Sequence, residues 1–392
     1  MSSIADVLTI DFLEKMLKIN KILKFDTQQF IESGDNFCSA LIRIRVTYST
    51  ENDEKSKVLS LIAKYRLETE EMIFLDEDMK LFVREIGTYG EILPEMHKID
   101  PKIKFAPSVY SIMTTPLRML LLEDVATNGY TTVSRQDGLD LEHCFKMVEK
   151  LAYFHALSVV IYEKNPEIMA KYDRAALSKS KVVNALLEAS WDEVTLICEK
   201  TQDFKQYYKK VRSIENIVEK TNDAIDLTSK FKVLNHGDFW CGNSLFYYGT
   251  DKQLRDIIFV DYQQSFFSSP AIDLHYFLTT STNVQVKKEH IQTVLYHYFD
   301  KLLFHLKELN INNIPTREQL FDDFKTRASY GLASLCMAMP IIKSDSRKDA
   351  GLVKFAEESG EGSFRHHCFN NKNYIENLEP VLSFYDSLGA FD

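Results

Sequence analysis

The chain predicts an α+β fold in two lobes: a small antiparallel sheet with one helix first, then a large, mainly helical part. Three observations predict it. Residues 40–48 alternate apolar and polar and are followed by a second apolar run at 58–64, the mark of an antiparallel hairpin. A strand, loop, strand, turn, strand unit lies at 233–261. Elsewhere, and above all after residue 124, apolar residues recur at three- and four-residue spacing, as in helices. With 392 residues, the chain is long enough for a large core divided over two lobes.

The elements follow in order. Met1 to Phe25 mixes Asp and Glu with its apolar residues and lacks the uninterrupted apolar core of a secretory leader. It reads as an amphipathic helix with Phe12, Met16, Ile19 and Ile22 on one side. Ser33-Gly34-Asp35-Asn36-Phe37-Cys38-Ser39 is a small polar turn with a single glycine; by itself it is a plain hairpin turn. In the first strand Ile42, Ile44, Val46 and Tyr48 share one face, and Arg43, Arg45 and Thr47 the other. The returning strand, Val58 to Lys64, ends on a lysine. Such a lysine grips the α and β phosphates of a nucleotide when a carboxylate holds it; on an edge strand it is only a solubility charge. The next helix offers that carboxylate, since Glu85 shares a face with Phe82 and Tyr89. Met119-Leu120-Leu121-Leu122 is an apolar strand running into Glu123-Asp124, a hinge whose backbone would meet an adenine edge.

Leu141, Phe145, Val148, Leu151, Ala152, His155 and Ser158 form one helical stripe, which makes His155 a core histidine with satisfied hydrogen bonds rather than a ligand. Residues 163–230 are mixed-polar and mostly helical, with Trp191, Tyr207 and Tyr208 interspersed. Ser268-Ser269-Pro270 breaks the chain, and Asp273 sits in the first turn of the helix that follows, where the helix dipole favours an acid. The charged run 343–349 reads as a mobile surface loop.

The chemistry is concentrated in His236-Gly237-Asp238-Phe239-Trp240-Cys241-Gly242-Asn243 and Phe259-Val260-Asp261-Tyr262-Gln263. One Asp and one Asn share a short loop, and a second Asp follows an apolar strand. That set suits phosphoryl transfer: Asp238 receives a hydroxyl proton, while Asn243 and Asp261 offer hard oxygens to magnesium. A lone His-x-Asp is more often a turn; the downstream strand and Asp261 decide for chemistry. His236 reads as a residue that fixes the loop by hydrogen bonds. Trp240 and Cys241 read as packing.

Composition narrows the partners. The net charge is −10 and no basic block appears, which argues against nucleic acid. No stretch has the length of a transmembrane helix. The cysteines at 38, 144, 198, 241, 336 and 368 form neither a Cys-x-x-Cys pair nor a zinc pattern, and read as reduced thiols of a cytosolic protein.

The motif His-Gly-Asp-(x)4-Asn with a later Asp-Tyr-Gln resembles the aminoglycoside phosphotransferase and choline kinase-like branch of the protein-kinase fold, and more narrowly the ecdysteroid kinase-like family, which has Asp-Phe-Gln at the second motif. Leu121-Leu122-Glu123-Asp124, Phe154-His155-Ala156 and Ser269-Pro270-Ala271-Ile272-Asp273-Leu274 extend the resemblance over almost the whole chain. It implies a nucleotide lobe at 1–122 and a catalytic, acceptor-binding lobe at 123–392, with ATP and magnesium as co-substrate and cofactor. It implies that Gly34, Asn36 and Ser39 lie over the phosphates, with Lys64, Glu85 and Glu123 completing the nucleotide site. Asp273 would tie down the catalytic-loop backbone, and the 163–230 region would help form the acceptor pocket. The implied acceptor is an ecdysteroid hydroxyl or a hydroxylated xenobiotic. A non-catalytic ligand-binding relative would have lost the base, a metal ligand or the lysine; none is lost. A protein kinase would need an activation segment, and the interval from Asp261 to Pro270 is too short for one.

Overall fold

The computed structural model describes residues 4–29, 39–50, 53–115, 117–173, 175, 180–226, 228–347 and 351–392. Five strands make the first sheet: β1 (Ile22–Gln29), β2 (Ser39–Thr50), β3 (Asp53–Arg66), β4 (Val109–Met113) and β5 (Met119–Glu123). Their order is β1-β2-β3-β5-β4, and every pair is antiparallel. The second part is mainly helical and carries β6 (Tyr130–Thr131), β7 (Val233–Asn235), β8 (Ser244–Tyr248), β9 (Leu254–Phe259) and β10 (Phe266–Ser268). The architecture is the two-lobed, kinase-like α+β fold.

Period-two alternation explains how the sheet serves two cores at once. Leu61, Ala63 and Tyr65 of β3, with Met119 and Leu121 of β5, pack on the helices at Ile4–Val7 and Ile10–Leu17. Leu120 and Leu122 face the other way and join the large core. Lys64 pairs across the sheet with Leu120, so its parity puts it on the face turned toward that core. The apolar run 119–122 is thus buried on both sides, which is why it shows no polar alternation.

The N-terminal helix is shorter than expected. It starts at Ile10, capped by the Thr9 hydroxyl, and stops at Leu17, where Lys18 turns left-handed with φ 55°. Ile22 belongs to β1 instead: it pairs with Tyr48, and its N–H donates to Glu14 Oε1 at 2.7 Å. The open edge of β2 offers backbone partners that a helix at this point cannot, and it wins over helical periodicity.

In the large core the helices Leu141–Lys164 and Ile291–Glu308 pack together. His155, fully buried on the first, accepts from the Tyr298 hydroxyl at 2.6 Å through Nδ1 and donates to Asp273 at 3.1 Å through Nε2. In the helix Ala328–Ala333, Gly331 is required: a Cβ there would lie 2.0 Å from the Tyr385 ring. Tyr385 cannot yield, because its buried hydroxyl meets Thr279 at 2.8 Å and His275 at 3.1 Å. The charged run at 343 is not a surface loop at its start. Lys343 closes the helix Met339–Lys343, is fully buried, and donates to the carbonyls of Arg135 and Gln136 at 3.1 and 3.2 Å. Those carbonyls supply the partners that let an ammonium leave water, and burial pulls its pKa down to about 8. Asp345 and Ser346 are exposed, and 348–350 lie outside the described residues.

Candidate active site

The loop 236–243 starts where β7 ends. β7 does not pair with the hairpin that follows it; it pairs with β10, while β8 and β9 pair with each other. Ser244 opposes Phe259 in that hairpin, and Val260 N donates to Asn243 O at 2.9 Å. Register alone therefore brings Asn243 within one residue of Asp261 on the facing strand end.

A single carboxylate holds the loop backbone. Asp273, fully buried in the helix Ala271–Thr280, accepts from His236 N at 2.7 Å and from Gly237 N at 2.9 Å, besides the bond from His155. Gly237 has φ +82°, and a Cβ there would lie 2.0 Å from the Gln264 carbonyl oxygen. Only glycine lets the loop pass this close to the turn Tyr262–Gln264. The buried His236 ring donates from Nε2 to Val260 O at 3.0 Å and stacks near Tyr262, with centroids 4.7 Å apart. Burial first of all lowers its pKa, with Asp273 and Asp261 opposing. Its Nδ1 has no partner among the described residues.

Asp238 accepts from Asn243 Nδ2 at 2.9 Å through Oδ2 and at 3.0 Å through its backbone oxygen. With its amide nitrogen engaged, Asn243 has Oδ1 left for another partner. Burial lifts the Asp238 carboxyl from the ordinary 3.8 to about 7; the nearby Asp261 charge adds to that, and the Tyr276 hydroxyl, Asn243 and Lys64 oppose it. Tyr276 was not singled out from the sequence. Its signal was there: it follows Asp273 by three residues, so the helix that ties down the loop also brings a hydroxyl to Asp238.

Lys64 Nζ lies 2.8 Å from Glu85 Oε1 and 2.8 Å from Asp261 Oδ1. Both lysine and glutamate are buried. Burial works against the lysine charge, but Asp261 and Glu85 together outweigh it and its pKa is raised. Burial also lifts the Glu85 carboxyl, with Lys64 opposing. Glu85 comes from the helix Leu81–Gly87, which packs on the Tyr262–Gln264 turn. Asp261 itself is left-handed, with φ 68° and ψ 60°, and half-buried. It engages Lys64 through Oδ1, which leaves its Oδ2, like the Asn243 Oδ1, as a hard oxygen of the kind magnesium takes.

The remaining expected residues are less gathered. Glu123, at the end of β5, binds Lys104 Nζ at 2.7 Å and Ser108 N at 3.0 Å through its side chain, and its own N–H donates to Ser108 O at 2.9 Å. Its backbone donor is committed, so any adenine contact from this residue falls to its carbonyl. Ser39 opens β2 and is buried. Gly34 and Asn36 lie outside the described residues, as does Cys38. The other five cysteines are buried free thiols. Among the described residues no helix is long and apolar enough to cross a membrane, and no cluster of His, Cys, Asp or Glu could hold a metal through three such ligands.

The family profile described as the ecdysteroid kinase-like family matches residues 33–311. No curated protein matches the chain.

Proposed function

The chain belongs to the ecdysteroid kinase-like family, and on that premise we propose that it moves the γ-phosphoryl group of ATP to a hydroxyl of a lipophilic small molecule. The observation that carries the reading is Lys64, a buried ammonium 2.8 Å from both Glu85 and Asp261. A cation fixed between a helix carboxylate and a loop carboxylate, beside a second carboxylate in a tight loop, is the arrangement phosphoryl transfer needs. Residues 1–122 serve as the nucleotide lobe, and residues 123–392 as the catalytic and acceptor lobe. The free thiols agree with the cytosol as its compartment.

Asp238 takes the proton of the acceptor hydroxyl as that oxygen forms its bond to the γ-phosphorus. The bond from the γ-phosphorus to the bridging oxygen breaks, and ADP leaves with that electron pair. Lys64 leaves its pairing with Asp261 to meet the phosphates and keeps Glu85. Asn243 and Asp261 would hold magnesium, which neutralises phosphate charge when bound. Asp273 and His236 keep the loop in place and exchange no proton. The acceptor is an ecdysteroid or a hydroxylated xenobiotic.

The test is a screen of purified protein with ATP and magnesium against a library of steroids and phenols, read by mass spectrometry. The expected result is a product heavier by one phosphoryl group, formed by the wild type and not by Asp238→Asn. A protein that binds ATP yet phosphorylates no neutral alcohol would overturn the reading.

A further inference from the structure

The helix that carries Glu85 is held from the second part of the chain. Leu81–Gly87 packs on the turn Tyr262–Gln264 and on the short helix Pro166–Tyr172. Tyr172 of that short helix is fully buried. Its hydroxyl meets the Thr88 hydroxyl at 3.1 Å and donates to the Arg84 carbonyl oxygen at 3.4 Å. These two partners bracket Glu85 in the chain. The approach leaves no room for a side chain between: a Cβ on Gly87 would lie 2.8 Å from the Tyr172 hydroxyl and 2.9 Å from Lys171 Cδ. Gly87 has an ordinary helical φ of −63°, so glycine stands here for space and not for conformation.

The helix changes character at the same point. Thr88–Ile92 is a π turn, a rare form that occurs mostly at functional sites. Within it Tyr89 meets Tyr262 edge-on, with centroids 5.7 Å apart. A further contact joins Lys171 Nζ to Glu91 Oε1 at 2.6 Å, but both side chains are well exposed and such a pair contributes little. The contact between the Tyr172 and Thr88 hydroxyls is buried, and a buried partner left unpaired costs more.

We infer that Tyr172 is a positioning residue: gripping the helix at Arg84, Gly87 and Thr88, it holds Glu85 at the depth where its carboxylate meets Lys64. A residue of the second lobe thereby sets a contact between two residues of the first. It acts through the helix alone. The inference rests on the phosphotransfer reading only for what Lys64 grips; the contact of 2.8 Å between Lys64 and Glu85 belongs to the nucleotide-free protein.

The test follows acylation of lysines by acetic anhydride in the nucleotide-free protein, read peptide by peptide by mass spectrometry. A buried amine reacts when its surroundings open, so the rate follows the opening equilibrium. Tyr172→Phe removes only the hydroxyl and should raise the rate at Lys64 about fivefold, the scale of one hydrogen bond. Lys343, equally buried but in the large core, should keep its wild-type rate. Gly87→Ala displaces the helix outright and should raise the Lys64 rate further. In that variant the KM for ATP should rise at least about fivefold, with kcat at saturating ATP within about twofold of wild type, because bound nucleotide draws the helix back. An unchanged Lys64 rate in Tyr172→Phe, or a rise that Lys343 shares, overturns the inference; so does an active Gly87→Ala enzyme with the wild-type KM for ATP. If the labelling pattern holds but wild type forms no phosphorylated product, the phosphotransfer reading fails and this inference stands. If product forms but both variants label Lys64 as wild type does, the reverse is true.

Discussion

At the scale of single residues, Asp238 carries the strongest expectations. Asp238→Asn should lower kcat by at least ~10²-fold while leaving nucleotide affinity nearly intact, the loss expected for a positioned proton acceptor. Steady-state kinetics beside nucleotide titration checks this, and full turnover by the variant would sink the assignment. A carboxylate in the proposed role of base works only when ionised. With its pKa near 7, kcat should fall on the acid side with a midpoint near neutrality. Stability runs the opposite way. The folded pKa is raised, so the carboxyl contributes stability below its unfolded value of 3.8 and loses it as pH rises through about 7. Asp238→Asn should therefore melt above wild type at about pH 8.5, by roughly 1–3 kcal/mol, with the gap closing toward pH 4. A gap independent of pH would show that burial does not perturb this carboxyl. Asn243→Ala and Asp261→Ala should each weaken magnesium-dependent nucleotide binding, since each removes a hard oxygen. Calorimetric titration with and without magnesium decides it; wild-type magnesium dependence in both variants refutes it.

At the scale of elements, the helix Ala271–Thr280 does most to organise the site. It supplies Asp273 to the loop backbone and Tyr276 to Asp238. Asp273→Ala strands two buried N–H groups and should cost about 2–4 kcal/mol in urea unfolding, more than a surface change could. A loss under ~0.5 kcal/mol would mean that the loop stands without it. This helix also marks how far the sequence could be read. The motifs around Asp238 and Asp261, the hairpin at 40–64 and the stripe carrying His155 were legible because local spacing dictates them. β1 was not, because its place depends on the distant edge of β2. Lys343 was not, because charge alone suggests solvent and only the facing carbonyls of 135 and 136 make burial tolerable.

At the scale of the whole molecule, the two proposed substrates differ in character. The proposed nucleotide side is a knot of charges on Lys64, Glu85 and Asp261, whereas a neutral alcohol offers none. Salt should separate them. Raising ionic strength from ~0.05 to ~0.5 M should increase the KM for ATP several-fold and leave the KM for a neutral alcohol within about twofold. Parallel salt dependence of both constants would show that the acceptor meets charge after all. The division of the fold into two cores was itself visible in outline, since strands precede helices in the chain. What remained hidden was that β5 feeds both cores, alternating side by side along one strand.

The contact between Gly331 and Tyr385 bears on how this protein can change over generations. An alanine at 331 would ordinarily favour a helix over glycine, yet here it meets a ring that cannot move. The benefit is open only to a lineage that has already exchanged Tyr385 for a smaller residue. That first step in turn leaves His275 and Thr279 without their shared hydroxyl. The two positions are epistatic, with one passable order and a costly intermediate. The corner where Gly331 meets Tyr385 should therefore stay as it is while the positions around it drift.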